Sequence, residues 1–328
     1  MRFGQDAGDK VLGRIVALGE VVADVYREET HSAVELPLTA RPGGAPANVA
    51  VAASRLGFEA SFIGSVGEDL FGDFILRTLG IEGVDVSAVR RCEPPTRTSL
   101  AFVDVMASGE RSFTFYRSDP AADELLSPED VSREALSGAS FVTFGSIPLL
   151  REPARSAVHQ VVELAGELDV PVAFDVNLRR HLWEDMQSAR EAVYPLIEHC
   201  QIVKLSDDEL EPLLDTTDAG EAARMLLERG VSLVFVTFGE SGAFYASQEF
   251  EGSVPTFEVK TVDPTGAGDA FLAASLVCLS EDTVWDEKRA REAARYGAAA
   301  GALACTGYGA IQALPGRSEL EQLIKGRG

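Results

Sequence analysis

Cysteine is scarce. Cys92, Cys200, Cys278 and Cys305 are the only four, and none lies at CxxC spacing. That is too few for a disulfide scaffold in a chain of 328 residues, so they read as reduced, mostly buried small hydrophobes. Histidine is as rare. His31, His159, His181 and His199 form neither HxxxH nor HExxH, which argues against a zinc site. No apolar run reaches the roughly 20 residues that cross a bilayer. The opening MRFGQDAGDK has no apolar signal-peptide core, so no membrane contact and a cytoplasmic location are expected. Positive charge is also short: 29 Lys and Arg face 52 Asp and Glu, a formal net charge of -23. Such a surface repels nucleic acid and anionic lipid, so neither is expected as a partner. An anionic substrate would have to be held by local positive groups against the overall field. The pattern GxxxxGK[ST] is absent, and no GxGxxG lies between the first strand and helix, which leaves a nicotinamide site without support.

What is present is a rhythm. RIVALGE (14–20), SFIGSV (61–66), SFVTFGS (140–146), PVAFDVN (171–177), QIVKL (201–205) and SLVFVTF (232–238) read as short buried strands. Helical patterns separate them at 46–57, 69–80, 153–168, 187–198 and 218–229, the first with Gly57 as a C-cap. The expected fold is α/β: a doubly wound, mostly parallel sheet covered by helices on both faces. Ligands of such sheets bind beyond the carboxyl ends of the strands. Residues 21–41 and 96–117 break the rhythm and read as antiparallel β, the second with a hairpin turn at Ser108-Gly109-Glu110. They predict a small β-sheet lid on one domain of residues 1–328, with no linker or repeat.

The densest stretch is VDPTGAGDAFLAASL, 262–276. Gly266, Ala267 and Gly268 would form a turn, and Asp269 would sit in the first turn of an apolar helix. Successive N–H groups at a helix start cradle an anion, helped by the helix dipole. Asp269 would repel that anion, so its presence makes sense if it takes a proton from a hydroxyl attacking the anion. An unperturbed Asp, with a pKa of about 3.9, is ionised at neutral pH. The plainer alternative is that Asp263 and Asp269 are helix-start carboxylates favoured by the dipole.

DPTGAGDAF resembles the carboxy-terminal signature of the ribokinase-like (PfkB) carbohydrate kinases. PGGAPANVAVAASRLG (42–57) followed by FIGSVGEDLFG (62–72) resembles their amino-terminal signature. The likeness runs over most of residues 14–316. Within the family, GERSFTFYR (109–117), PAADELL, FGSIPLL (144–150) and DVNLRRHLW (175–183) are most similar to fructokinases, and 2-keto-3-deoxygluconate kinases share some of them.

The resemblance implies a role for each matched residue. Asp269 matches the catalytic base, and the N–H groups of Gly266, Ala267 and Gly268 the anion hole. Asp24, Gly43, Gly44 and Asn48 match sugar contacts, and Arg117 and Arg179 match arginines that meet sugar or phosphate. Lys204 and Glu209, in KLSDDE, fall on the NxxE motif associated with phosphate and Mg2+; Ser206 replaces the Asn. Thr237, Gly239 and Gly242 match nucleotide contacts, and Ala298 stands beside the adenine where relatives often have Asn. Carbonyls around Asp263 and Gly309 match a K+ site. The implied activity is ATP-dependent phosphorylation of a sugar, fructose first. The alternatives are 2-keto-3-deoxygluconate kinase, another sugar or nucleoside kinase of the family, and a non-catalytic kinase-fold scaffold or regulator. An exposed lid sheet seeks cover, so a homodimer through the lid is a further expectation.

Overall fold

A computed structural model describes residues 13–28, 34–105, 111–281 and 284–326. The first half of the chain forms β1 (Arg14–Leu18), β2 (Val22–Arg27), β3 (Leu38–Gly43), α1 (Ala45–Arg55), β4 (Glu59–Gly67), α2 (Leu70–Ile81), β5 (Val84–Asp85), β6 (Val89–Cys92), β7 (Leu100–Val105), β8 (Arg111–Tyr116) and the one-turn α3 (Arg133–Leu136). β9 (Phe141–Phe144), α4 (Ala154–Glu167), β10 (Val172–Asp175), α5 (Met186–Ile197), β11 (Ile202–Ser206), α6 (Asp207–Leu214), α7 (Ala219–Leu227) and β12 (Leu233–Thr237) continue the alternation. It closes with β13 (Ala243–Ala246), β14 (Glu251–Val254), α8 (Ala267–Leu279), α9 (Glu287–Ala304), α10 (Ala310–Ala313) and α11 (Arg317–Lys325).

The large sheet has the order β14-β13-β12-β11-β10-β9-β1-β4-β5, with β6 beside β4. It is parallel except at the β12–β13–β14 edge, which is antiparallel. Successive residues of each strand face opposite sides. In β1, Ile15 and Ala17 join a core shared with α1, α8 and α9, while Val16 and Leu18 join one shared with α4 to α7. In β12, Leu233 and Phe235 take the first side, and Val234 and Val236 the second. Both faces are therefore buried, as the continuous apolar strands predicted. The expected C-cap at Gly57 moves by one residue: Leu56 is the cap, and Gly57 follows with φ 89.

α8 is apolar all round and is buried accordingly. α9 meets it with small residues. A side chain at Gly297 would come within 2.5 Å of the Ser275 hydroxyl, and one at Gly301 within 3.0 Å of the Ala267 carbonyl. Ser275 also donates to the Ala293 carbonyl at 3.0 Å. These contacts fix the position of the α8 start. At the start of α1, Gly44 holds φ 108, and a Cβ there would lie 2.5 Å from the Glu20 carbonyl. Only glycine meets both conditions cheaply.

The small sheet has the order β3-β2-β7-β8. Its two hairpins are antiparallel inside, but β2 and β7 run parallel to each other. This corrects the expectation of antiparallel pairing throughout. β1, β4 and β6 are mutually parallel neighbours, so their ends lie at one edge of the large sheet. Both excursions leave that edge in the same direction. The Ser108-Gly109-Glu110 turn and residues 29–33 lie outside the described residues. Among its contacts with the body, Phe115 stacks on His181 with centroids 6.2 Å apart, Arg41 donates to the Tyr308 carbonyl at 2.9 Å, and Ala23 joins the core shared with α1 and α8.

Asp69 joins the two sheets' supports. Its Oδ1 accepts from the N–H groups of Phe71 and Gly72 at the start of α2, at 3.0 and 2.9 Å. Its Oδ2 accepts from the Thr98 N–H at 2.8 Å, just before β7. Burial opposes the charge, but the N–H donors of Gly72 and Thr98 outweigh it and hold the carboxyl below its usual range. Asp69→Ala is expected to lower the unfolding free energy by about 1–2 kcal/mol at pH 7, measured by urea denaturation. The difference should shrink as pH falls through the depressed carboxyl pKa, because the parent then loses the same charge.

Candidate active site

The strand ends of β10, β11 and β12 and the starts of α1 and α8 meet around one buried carboxylate. Gly266 takes the left-handed conformation, φ 82, directly before α8. A Cβ there would lie 3.1 Å from the Ala310 backbone, so the turn is closed to side chains. The Ala267 N–H donates to the Pro264 carbonyl at 3.2 Å and tightens the turn, while Gly266 and Gly268 stay half-buried. Asp269 follows in the first helical turn, buried. Its Oδ2 accepts from Asn48 Nδ2 at 2.7 Å, so α1 and α8 are joined at this atom. Burial, then the charge of Asp175, push the Asp269 carboxyl up to about 6, against Asn48, Lys204 and Arg179.

Lys204 lies opposite Asp175 in the β10–β11 register. Its Nζ donates to both Asp175 oxygens, at 2.8 and 2.9 Å, and both side chains are buried. A Cβ on Gly268 would lie 3.1 Å from that Nζ, so the ammonium faces the turn. Burial works against its charge, but Asp175, Glu209 and Asp269 together hold its pKa above the usual lysine range. Glu209 accepts from the Leu178 N–H with one oxygen and from the Ser206 N–H, at 2.7 Å, with the other. It thus caps α6 and ties it to the loop after β10. Burial raises its carboxyl pKa, with Lys204 opposing.

A cleft of about 700 Å³ opens beside the turn. Thr237, Gly239, Gly242, Gly268 and Ala298, all expected from the sequence, line it. Cys305 lines it too and is half-buried, whereas Cys92, Cys200 and Cys278 are buried; all four are free thiols. Asp263 lies fully buried behind the cleft. Its Oδ1 accepts from the Thr265 N–H at 2.9 Å and its Oδ2 from the Gly309 N–H at 2.8 Å, which brace the turn against the loop before α10.

On the other side, Asp24 of β2 lies against Gly43, where any side chain would collide with its carboxylate. Gly44, half-buried, caps the start of α1, and Asn48 is buried within that helix. Arg179 is exposed on the loop after β10, and its charge favours the ionised forms of both Glu20 and Asp269. Arg117 turns elsewhere. It pairs with Asp123, lies 3.6 Å from Glu124 and donates from Nε to Ser99 at 3.2 Å.

Sequence reasoning assigned no role to Asp175, Glu20 or Asp123. A signal for the first was present. A lysine inside the apolar strand QIVKL is buried, and a buried ammonium requires a carboxylate on a neighbouring strand. Asp175 ends the adjacent run. Asp123 lies on no regular element with a readable period, and only the fold brings it to Arg117.

Residues 13–317 match the model of the pfkB family carbohydrate kinase. The chain belongs to that family. Fructokinase-2 of Solanum lycopersicum is 40% identical over 319 residues, covering 96% of this chain and 97% of that protein. Fructokinase with bound ATP from Xylella fastidiosa superposes with a TM-score of 0.88 at 31% identity, over 96% of this chain and 98% of that one. Fructokinase from Vibrio cholerae O395, in its fructose, ADP and calcium ion bound form, gives a TM-score of 0.86 at 34% identity, over 96% and 100%. In this pfkB kinase the paired Lys204 and Asp175 lie at the floor of the turn.

Removing one partner of a buried ion pair strands the other charge. Asp175→Ala is therefore expected to cost about 3–5 kcal/mol of stability in urea denaturation. The double change Asp175→Leu with Lys204→Met should recover most of that loss, since an apolar pair leaves no charge to solvate.

Proposed function

We propose that the chain is an ATP-dependent fructokinase, converting D-fructose and ATP to fructose 6-phosphate and ADP. The Asn48–Asp269 hydrogen bond carries this reading, because it joins the helix of the sugar signature to the helix of the phosphate turn on a single carboxylate. Its likeness to fructokinases over nearly the whole chain supports the choice of sugar. Residues 1–328 work as one kinase domain with the small sheet as its lid. Asp24, Gly43, Gly44, Asn48 and Arg179 surround the sugar. Thr237, Gly239, Gly242 and Ala298 hold the nucleotide in the cleft.

In this reading the sugar's 6-hydroxyl oxygen bonds to the γ-phosphorus as the bond to the bridging oxygen breaks, and ADP leaves. Asp269 takes the hydroxyl proton. The N–H groups at Gly266 and Gly268, the α8 dipole and Lys204 stabilise the phosphoryl group in transfer. Mg2+, bound with the nucleotide, supplies positive charge at the phosphate oxygens. The residues fit it: Asp175, Glu209 and Asp269 outnumber Lys204, an excess of negative charge that suits a cation. Both Glu209 oxygens already accept N–H groups, so Glu209 would hold such a metal through water. Among the described residues no cluster of three ligating side chains could hold a metal unaided. A K+ ion would meet backbone carbonyls near Asp263 and Gly309, with the Asp263 carboxylate as brace.

A sugar acid such as 2-keto-3-deoxygluconate is less well supported. Asp24 adds a carboxylate to its side of the site, and Arg117 is already paired with Asp123. A non-catalytic scaffold has no need for a carboxylate buried beside the turn. The described residues contain no helix long and apolar enough to cross a membrane, and the free thiols suit the cytoplasm.

An ADP-release assay with fructose, 2-keto-3-deoxygluconate, ribose, adenosine and no sugar tests the reading. Fructose should be turned over fastest, and the no-sugar rate should be far lower because the closed lid excludes water. Asp269→Asn should lose about 10²–10⁴-fold in turnover while melting no lower than the parent, since a buried charge is removed. With the parent, kcat/KM for sugar should fall about tenfold per unit as pH drops below about 6, where Asp269 takes up its proton. Preference for another sugar, or full activity in Asp269→Asn, would overturn it.

We further propose a homodimer through the lid, whose edge strands β3 and β8 carry the exposed Leu38 and Tyr116. Light scattering should give about twice the 35.0 kDa chain mass. A monomer at working concentration counts against it.

A further inference from the structure

Two buried side-chain oxygens have no hydrogen-bond partner in the protein among the described residues: Asn48 Oδ1 and Glu20 Oε2. Both lie at the start of α1. Asn48 is fixed by its amide bond to Asp269, which leaves Oδ1 as an acceptor. Glu20 follows β1, and its Oε1 accepts from the Ala45 N–H at 3.2 Å. Its backbone carbonyl lies against Gly44. The Arg179 charge favours the ionised forms of both the Glu20 and Asp269 carboxyls.

Unpaired buried polar atoms are costly, and native proteins carry few of them without a functional reason. A glutamate needed only to cap Ala45 requires one oxygen. The second, equally buried, accepts no hydrogen bond from another residue among those described.

We propose that Glu20 is a further sugar-recognition residue: its Oε2, carried as a carboxylic acid, donates a hydrogen bond to an oxygen of the bound sugar near the hydroxyl received by Asn48 Oδ1. This rests on the reading of the site as a sugar kinase. The charged groups facing Glu20 are Asp123 and Arg179, with Arg117, Glu124 and Arg151 around a cavity of about 10 Å³ that Glu20 also lines. Burial first, and the charge of Asp123 after it, push the Glu20 carboxyl up to about 8; its own backbone N–H, then Arg179 and the Ala45 N–H, oppose this without prevailing. Glu20 is therefore mostly protonated at pH 7. A donor and an acceptor side by side suit a polyol, whose hydroxyls both give and accept. A carboxylate-bearing sugar gains less, because raising the local negative charge would oppose Asp123 as well.

The test is a cycle of Glu20→Ala and Glu20→Gln against fructose and deoxyfructoses lacking one hydroxyl at a time, with melting temperatures measured alongside. Glu20→Ala should raise the fructose KM about three- to tenfold, the weight of one hydrogen bond, and leave the ATP KM unchanged. One deoxy sugar should be handled equally by parent and variant, identifying the oxygen read. Glu20→Gln keeps an acceptor for Ala45 and a donor for the sugar, so its fructose KM should stay within about twofold of the parent. In the parent the fructose KM should rise as pH passes about 8, where Glu20 loses its proton; in Glu20→Gln that rise should vanish. A purely structural Glu20 would lower the melting temperature with no sugar-specific change in KM and an unaltered pH profile, and this would overturn the proposal. If Glu20→Ala does not fold, the pH comparison of Glu20→Gln with the parent decides alone. If the parent ignores fructose, only the choice of fructose fails, and the same cycle is run on the sugar it accepts.

Discussion

A carboxylate has to be buried beside a turn that must also hold an anion, and most of the molecule serves that requirement. Asp269 sits in the first turn of α8, where the dipole favours negative charge and where a phosphate would compete for the same field. Burying it without partners would cost several kcal/mol. Asn48 provides one partner at 2.7 Å, and Lys204 provides opposite charge nearby. For Asn48 to arrive, α1 must pack against α8. For α8 to accept helices around it, its residues must be apolar on every side, and α9 must approach through Gly297 and Gly301. The amino-terminal glycines follow from the same demand, since Gly44 lets the chain turn into α1 hard against β1.

The acidic composition sharpens the problem. With a net charge of -23, the global field cannot attract an anionic nucleotide. Surface cations are the simple remedy, but Arg117 is spent on Asp123, and exposed Arg179 lends its charge to Asp269. The remaining means are independent of net charge: backbone N–H groups, a helix dipole, and a lysine so deeply buried that salt hardly screens it. Lys204 is itself nearly balanced by Asp175, so the turn supplies shape and dipole more than formal charge.

The sequence made the frame legible because the frame rests on local pattern. Continuous apolar strands between helices meant a parallel sheet buried on both sides, and GAGD meant a turn at a helix start. β6 and the β13–β14 edge were not read, since VRRC, AFYA and EGSV lie outside the alternation of apolar strand and helix. The parallel β2–β7 pairing was missed for a different reason: strand direction follows from where two distant excursions leave the large sheet, which local alternation does not encode. The same holds for Glu20. As one residue in GEVVADV it looks like a solvated loop carboxylate, and only the fold buries it beneath α1. Lys204 was visible as a charge in an apolar strand, but its partner required the β10–β11 register.

The lid and the phosphate turn are not independent parts. Arg41 of β3 donates to the Tyr308 carbonyl, the next residue's N–H donates to Asp263, and Asp263 opens the segment that ends in Gly266. On the opposite side, Phe115 of β8 stacks on His181, in the loop that carries Arg179 and is tied to α6 by Glu209. These two contacts join the small sheet to the loops on either side of the turn. Arg41 is joined by one hydrogen bond and the ring pair by a single stacking contact, interactions of about 1 kcal/mol each. The braces behind them, Asp263 and Glu209, are buried and doubly bonded. The weak links therefore sit between lid and body and the strong ones within the body. The Asp263 and Glu209 braces therefore hold the loops around the Gly266 turn without help from the small sheet.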